Sequence, residues 1–113
     1  MNIQIFGINK SQDTRKAQRW FKERNIRFQF IDLRQKGMSK GEFESVARAV
    51  GGWEALFDPK AKDQQTALLI RYSPEEMRPA LLLENPQCIA EPVVRNGRQA
   101  TVGFCPEVWQ GWE

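Results

Sequence analysis

The sequence predicts an α/β domain in which a small mixed sheet is flanked by helices. Near the amino terminus a short apolar run, an amphipathic stretch and a second apolar run follow one another. The middle of the chain carries helix start and stop signals, and a hairpin signal, Asn96-Gly97, lies near the carboxyl terminus. The length of 113 residues is usual for one core, so we expect a single domain over residues 1–113.

The opening of the chain predicts a strand, a helix and a second strand. Residues 2–6 are a mostly apolar run ended by Gly7, which is typical of a buried strand. Apolar residues then recur at helical spacing, which predicts a helix over about residues 12–25 with Ser11 as its N-cap. The segment RFQFIDL predicts the second strand. A unit of this kind makes its two strands parallel and joins them by a right-handed crossover.

Helix signals dominate the middle of the chain. Ser39 and Glu42 form a capping-box pattern, and the helix that they open should stop at the glycine pair 51–52. One further turn over residues 53–57 and a polar loop over residues 58–65 follow, and we expect this loop to be the most mobile segment.

Two shorter helical segments are predicted at residues 67–72 and 80–84. Between them, the pattern Ser73-Pro74-Glu75-Glu76 is a second capping-box start with proline at the first helical position. Pro79 should break or restart that helix.

The closing segment predicts a β-hairpin and a last helix. Residues 92–95 and 98–103 flank the Asn96-Gly97 turn signal, so the last two strands should be antiparallel. Pro106 suits the first position of a helix over residues 106–112. This order of elements matches the thioredoxin fold: a four-stranded mixed sheet flanked by helices, with a helical insertion between the βαβ unit and the carboxyl-terminal hairpin.

Composition excludes several classes of chemistry. The chain has no histidine, which removes Ser-His-Asp and Cys-His nucleophile systems and histidine-bound metals. Its two cysteines form neither a CxxC pair nor a disulfide framework, so we expect no metal site. Seventeen basic and fourteen acidic residues are interleaved, and this pattern does not favour direct nucleic-acid binding. We recognise neither a membrane span nor a signal sequence, and we expect a cytoplasmic protein.

Three motifs resemble the arsenate reductase family, which includes Spx-type transcriptional regulators and thiol reductases. They are the Phe6-Gly7 pair that ends the first strand, the R-K-A-x-x-W pattern of the first helix, and the E-N-P triplet followed six residues on by Pro92. The resemblance extends over essentially the whole chain. It implies a site at the start of the first helix and a cis peptide bond between Glu91 and Pro92.

At the position of the family's redox cysteine this sequence has Ser11. A helix N-terminus can lower the pKa of a thiol from about 8.5 into the range of about 3.5 to 7.5, but a hydroxyl holds its proton too tightly for that effect to ionise it. Serine can neither displace oxygen from an oxyanion nor form a mixed disulfide. The resemblance therefore implies a protein that does not reduce arsenate in this form. An activated serine would need a base, and Lys10 is the adjacent candidate.

The family's anion-binding arginines are replaced as well. The resemblance places Lys60, Glu91 and Cys105 at those three positions. Lys60 keeps the charge without the planar fork of arginine, whereas Glu91 beside Pro92 would repel an oxyanion.

An anion-friendly loop over residues 7–13 remains, with Lys10, Arg15 and Lys16 nearby. The alternative is a solvated basic helix start, which Asp13 favours because its carboxylate already complements the helix dipole.

Three functions remain open at this point. The first is a binding or regulatory protein that lacks the redox cysteine. The second is a glutathione- or thioredoxin-dependent thiol reductase, in which Ser11 is an introduced change or the chemistry has moved to Cys105 at the start of the last helix, where a thiolate would be favoured. The third is an Spx-like regulator that contacts RNA polymerase.

We expect no bound cofactor; glutathione or thioredoxin would act as co-substrate. Glutathione or a thiol-containing peptide could also dock beside Pro92. For Cys88 and Cys105 the simpler interpretation is that both are structural thiols.

Overall fold

The computed structural model describes residues 1–112, which form a four-stranded mixed sheet flanked by helices. The strands lie in the order β2-β1-β3-β4, where β1 is Ile3–Gly7, β2 is Phe28–Asp32, β3 is Val93–Asn96 and β4 is Gln99–Val102. Strand β1 pairs in parallel with β2 and antiparallel with β3, and β3 pairs antiparallel with β4. The predicted thioredoxin-like fold, with its parallel first half and antiparallel second half, is confirmed.

Five α-helices accompany the sheet within residues 1–112: α1 (Gln12–Glu23), α2 (Lys40–Ala49), α3 (Gln64–Tyr72), α4 (Arg78–Glu84) and α5 (Pro106–Trp109). Short 3₁₀ turns lie at Trp53–Leu56, Glu75–Met77, Pro86–Cys88 and Gln110–Trp112. None of the helices within the described residues has the length and apolar character needed to cross a membrane.

The caps predicted for the first two helices are confirmed. Ser11 Oγ accepts the backbone N–H of Thr14 at 3.2 Å. The capping box of α2 is complete, since Ser39 Oγ accepts the Glu42 N–H at 3.1 Å and the Glu42 carboxylate accepts the Ser39 N–H at 2.9 Å. These caps fix where both helices begin.

Helix α3 begins at Gln64 rather than at the predicted residue 67, because Asp63 caps it. The Asp63 carboxylate accepts the backbone N–H of Thr66 at 3.1 Å and its hydroxyl at 2.6 Å. Just before this cap, Ala61 is buried in the core and its carbonyl accepts a hydrogen bond from the side-chain amide of Gln64. The polar loop predicted over residues 58–65 is therefore shorter than expected.

The helix start predicted at Ser73 is wrong. The Ser73 hydroxyl donates backwards to the carbonyl of Leu69 at 2.5 Å, so this serine closes α3 instead of opening the next helix. The turn at Glu75–Met77 has no side-chain cap, and α4 begins at Arg78 with Pro79 in its first turn. Pro79 therefore restarts the helix, which was one of its two predicted effects.

The hairpin is confirmed, but its turn lies one residue later than the sequence predicts. Asn96 pairs with Gln99, so Gly97 and Arg98 form the two-residue connection. Gly97 has φ +60°, whereas Arg98 does not have a positive φ. A tight hairpin with a positive φ only at its first central residue requires glycine there, and this places the turn at Gly97.

The sheet separates two hydrophobic clusters, and alternation along the strands decides which residue joins which. The α1 side holds these buried residues: Ile3, Ile5, Ala17, Trp20, Phe21, Val94 and Trp109. The insertion side is built mainly from the segment between β2 and β3 and includes Phe6, Val46, Leu56, Ile70, Leu82, Cys88 and Val93. On the α1 side, the indole N–H of Trp109 donates to Thr101 Oγ1 at 2.8 Å, which satisfies its buried polar atom.

Candidate functional site at the start of the first helix

The candidate site lies where β1 ends and α1 begins. The backbone N–H of Ser11 donates to the carbonyl of Ile8 at 3.0 Å, which closes a tight turn between the two elements. The Ser11 hydroxyl oxygen accepts the Thr14 N–H, so it is held at the positive end of the helix. Its position suits a group that accepts hydrogen bonds and carries negative charge.

Gly7 lets α1 approach the end of β1 closely. A Cβ atom at this position would lie 2.5 Å from Thr14 Oγ1 and 2.9 Å from Thr14 Cγ2, distances at which atoms overlap. Thr14 is itself fully buried. Because Gly7 has no side chain, the hydroxyl and methyl groups of Thr14 can pack directly against the end of β1.

The Glu91 carboxylate completes the site from the other half of the chain. Its Oε1 accepts the backbone N–H of Ile8 at 2.9 Å and the Thr14 hydroxyl at 3.0 Å. The peptide bond between Glu91 and Pro92 is cis, as predicted. Two donors of the β1–α1 region thus converge on one oxygen of a carboxylate that immediately precedes the cis-proline.

Comparison with known proteins identifies the fold that carries this arrangement. No protein-family model matches the sequence. An uncharacterised protein from Haemophilus influenzae is 25% identical in an alignment that covers 96% of each chain. The arsenate reductase from Vibrio cholerae superposes with a TM-score of 0.81 at 21% identity, covering 98% of this chain and 97% of that one.

The chain has the fold of the arsenate reductases. Two further solved structures agree: an ArsC-family-related protein from Bacteroides fragilis (TM-score 0.82, 22% identity, 100% of this chain and 98% of that one) and an arsenate reductase-related protein from Brucella melitensis (TM-score 0.61, 23% identity, 99% and 94%). The whole chain, and not one part of it, therefore follows this architecture.

The sequence places three basic residues around an anion-friendly loop, but two of them already have contacts within the chain. The Arg15 guanidinium donates to the carbonyl of Asn9 at 2.7 Å, so it is engaged by the loop's own backbone. The Lys16 ammonium lies 5.8 Å from the ring centroid of Phe104, and Lys10 is exposed. Only Lys10 among these three residues is without a described side-chain contact within residues 1–112.

Lys60 is not joined to the site by any contact of the described residues. It is exposed, and its backbone N–H donates to Asp58 Oδ1 at 2.9 Å within the insertion. Its proposed role as an anion ligand therefore gains no support from the geometry.

Cys105 lies on a segment that borders the site, because the N–H of Gly103 donates to the carbonyl of Pro92 at 2.8 Å. The surroundings of Cys105 give no support to the expectation that its thiolate would be favoured. Burial, and then the negative charge of Glu107, raise the pKa of the Cys105 thiol above its ordinary value. Helix α5 has only four residues and receives no side-chain cap from Cys105, whose thiol donates instead to the carbonyl of Val102 at 3.3 Å.

Cys88 is fully buried on the insertion side. Burial, followed by the nearby charges of Asp63 and Asp58, raises the pKa of this thiol as well. Neither cysteine has the electropositive, accessible surroundings of a reactive thiol.

The role of Glu91 is the feature that sequence reasoning missed. The sequence places it beside Pro92 as a charge that would repel an anion, whereas in the fold it serves as an acceptor for Ile8 and Thr14. These partners lie 83 and 77 residues away along the chain. No local pattern of residues signals a contact of that separation.

Proposed function

We propose that this protein is a relative of the arsenate reductases that does not reduce arsenate and acts by binding a ligand or partner at the β1–α1 loop. The observation that carries the proposal is Ser11 at the N-cap of α1, with its oxygen accepting the Thr14 N–H. The position provides what a thiolate requires, yet the atom there is a hydroxyl oxygen that stays protonated and forms no disulfide. Binding without redox chemistry is the role that this geometry supports.

The remaining thiols do not offer a substitute nucleophile. Attack on a disulfide or an oxyanion needs a thiolate, and the raised pKa of Cys105 and of Cys88 disfavours that form. A thiol reductase that uses Cys105 is therefore less well supported than a binding protein.

We propose that the ligand is an extended, peptide-like molecule, such as glutathione, that lies beside Pro92. Within residues 1–112, the backbone N–H and carbonyl of Glu91 make no hydrogen bond to other backbone groups. Such free groups next to a strand can pair with an extended backbone. The half-buried surroundings of Glu91 leave room for one side of a ligand to remain in water.

The reductase alternative is tested by arsenate-dependent oxidation of a glutathione or thioredoxin couple. We expect the protein and its Ser11→Ala variant to give the same rate as a control without protein. Turnover well above that control, lost in Ser11→Ala, would contradict the proposal.

Binding of glutathione is tested separately by NMR titration, in which the amide signals of Glu91 and Val93 should shift. A titration that leaves both signals unchanged would remove glutathione as the ligand.

Restoring a thiol at position 11 tests whether the site is of the kind that activates cysteine. In a background with Cys88 and Cys105 replaced, Ser11→Cys should have a pKa below that of an ordinary thiol, because the Thr14 N–H and the helix N-terminus stabilise its charged form more than Asp13 opposes it. The measurement is the pH dependence of alkylation.

The matched control is Ser45→Cys in the same background, since Ser45 lies in the interior of α2, away from its N-terminus. We expect the thiol at position 45 to titrate at or above the ordinary value of about 8.5. Equal pKa values at the two positions would show that the start of α1 does not activate a thiol.

A further inference from the structure

We infer that the outer edge of strand β2 binds an extended, acidic segment of a partner protein as a fifth strand of the sheet. Within residues 1–112, β2 pairs with β1 and with no other strand, so it forms one edge of the sheet. Strand β1 separates this edge from β3, which begins just after Pro92. The inference therefore does not depend on the ligand site proposed beside Pro92.

The hydrogen bonds between β2 and β1 show which backbone groups of β2 face outwards. The Leu33 N–H donates to the carbonyl of Gly7 at 3.0 Å, so Leu33 points towards β1. Because successive residues of a strand alternate in direction, Phe28 and Phe30 point away from β1. Within residues 1–112, no other backbone group bonds to the N–H or carbonyl of either phenylalanine. These groups can pair with an added strand.

The edge is regular and has few features that keep edge strands from pairing. Proline, lysine and β-bulges commonly protect such edges. The sequence of β2, FQFID, contains neither proline nor lysine. Its parallel register with β1 continues without a break from Phe28 to Asp32, so no bulge bends the edge away. An extended chain can therefore follow β2 along its length.

The surroundings of the edge fit a strand in which apolar and charged side chains alternate. Phe28 and Phe30 are partly buried against the core cluster on the α1 side, so an apolar side chain of an added strand would cover them further. Ile31 belongs to the cluster on the other side of the sheet, and Gln29 shares its direction. A groove of about 350 Å³ runs along β2 and is lined in part by Gln29, Ile31 and Lys36.

The charges near the edge favour an acidic occupant. Residues 27–36 contain three basic side chains, Arg27, Arg34 and Lys36, and one acidic side chain, Asp32. The three basic residues are exposed, and Arg34 lies 3.8 Å from the Asp32 carboxylate. Arg27 and Lys36 have no ion pair within residues 1–112. Both ends of the edge therefore attract negative charge.

A second copy of this chain fits the edge less well than an acidic segment does. Antiparallel pairing of two β2 strands about Phe30 would place Phe28 opposite Asp32 of the other copy. The Asp32 carbonyl already accepts two N–H groups of the turn that follows, at 3.1 and 2.9 Å, so it is not available to Phe28. The pairing would also bring Arg27 close to Arg34 of the other copy, and like charges repel.

The experiment uses a short capped peptide in which glutamate and valine alternate. Added to the full-length protein, it should shift the amide signals of Phe28 and Phe30 in a saturable way. At about ten times the Kd, hydrogen exchange of the Phe30 amide should slow about tenfold. The Ile31 amide, which faces β1, serves as the internal reference and should change much less. A peptide that does not bind, or that binds without protecting the Phe30 amide, would overturn the inference.

Two N-methylated forms of the peptide test whether main-chain hydrogen bonds hold it. One form is methylated on its valines and the other on its glutamates, so each lacks the N–H groups of one edge of the extended chain. Only one edge of the peptide can face β2. One form should therefore bind like the parent peptide, and the other should bind about tenfold more weakly or less. Equal affinities of the two forms would contradict strand addition.

Arg27→Glu tests the contribution of charge. It replaces an attraction for the peptide by a repulsion, so affinity should fall about threefold or more. The matched control is Arg98→Glu, which makes the same change at an exposed position in the hairpin turn between β3 and β4 and should leave the affinity unchanged. Equal losses in the two variants would show that net charge, and not the edge of β2, attracts the peptide.

The protein without peptide provides the last test. We expect exchange of its Phe30 amide to be independent of protein concentration. Protection that increases with protein concentration, together with a dimer in sedimentation, would assign the edge to a second copy of the chain and overturn the inference.

Discussion

The two sides of the sheet are packed in different ways. On the α1 side, the ring of Trp109 lies 5.4 Å from that of Trp20, 5.0 Å from that of Phe21 and 5.5 Å from that of Phe104, measured between centroids. On the insertion side, mostly aliphatic side chains from several short helices and turns fill the core. The α1 side therefore concentrates its packing around one large residue, whereas the insertion side distributes it over many smaller ones.

The difference shows how a short element can be essential to a fold. Helix α5 has four residues, too few to be stable by itself, yet it supplies the fully buried Trp109. Tertiary contacts hold that helix in place, and the longer α1 packs against the residue that it provides. We therefore expect the two sides to respond differently to the loss of one side chain.

The largest effect should come from Trp109→Ala. The substitution removes a buried indole that contacts three other rings, and we expect the free energy of unfolding to fall by about 3–5 kcal/mol. Urea denaturation followed by circular dichroism measures the change. As a control, Trp112→Ala removes the same side chain from a partly buried position and should cost clearly less. Similar losses for both variants would show that the α1 side does not depend on Trp109.

A smaller effect is expected from Leu82→Ala on the insertion side. Leu82 is fully buried, so the free energy of unfolding should fall by about 2–5 kcal/mol. The value should lie towards the lower end of that range because short neighbouring segments can move into the space. The same denaturation experiment applies, with the exposed Leu69→Ala as the control that changes little. If Leu82→Ala lowered the free energy of unfolding more than Trp109→Ala does, the insertion side and not the α1 side would depend more on a single residue.

The smallest effect concerns Glu42, in helix α2 on the insertion side of the sheet, and it depends on pH. Burial by itself raises the pKa of Glu42, but hydrogen bonds from Ser39 and Gln4 and the charge of Arg95 together lower it below its ordinary value. A lowered pKa stabilises the folded state above the unfolded pKa of about 4.3, and this contribution is lost as the pH falls through the folded value.

The wild type should therefore lose more thermal stability than Glu42→Gln when the pH is lowered below the ordinary glutamate pKa. Because the carboxylate is largely solvated, the difference should stay below about 1 kcal/mol. Melting temperatures measured over an acidic pH series give the result, and Glu44→Gln, which is exposed on the same helix, should follow the wild-type profile. Identical pH profiles for the wild type and Glu42→Gln would show that this carboxylate contributes nothing at low pH.

Local patterns in the sequence were sufficient for the strands, the caps of α1 and α2, and the presence of the hairpin, although not for the exact position of its turn. Each of these depends on residues a few positions apart, such as Ser11 with Thr14 or Ser39 with Glu42. The Asp63 cap of α3 was missed although the pattern Asp-x-x-Thr was present to indicate it. The helix start predicted at Ser73 was wrong for a related reason. The hydroxyl of a serine can donate to a carbonyl of the helix before it as well as cap the helix after it.

The candidate site was predicted only in part. The resemblance located the start of α1 and the cis bond before Pro92, and both lie where it implied. The contact of Glu91 with Ile8 and Thr14 depends on how β1 and the segment before β3 come together in the sheet, which no short stretch of sequence records.

The close approach of Gly7 and Thr14 has a consequence for how this sequence can change. Because a Cβ at position 7 would overlap both Oγ1 and Cγ2 of Thr14, Gly7→Ala is accessible only after Thr14 has been replaced by a residue that lacks both atoms, such as alanine. That first replacement removes the hydroxyl that donates to Glu91. The order of substitutions is thus constrained, and a mutational path that enlarges position 7 must first pass through a protein with an altered loop.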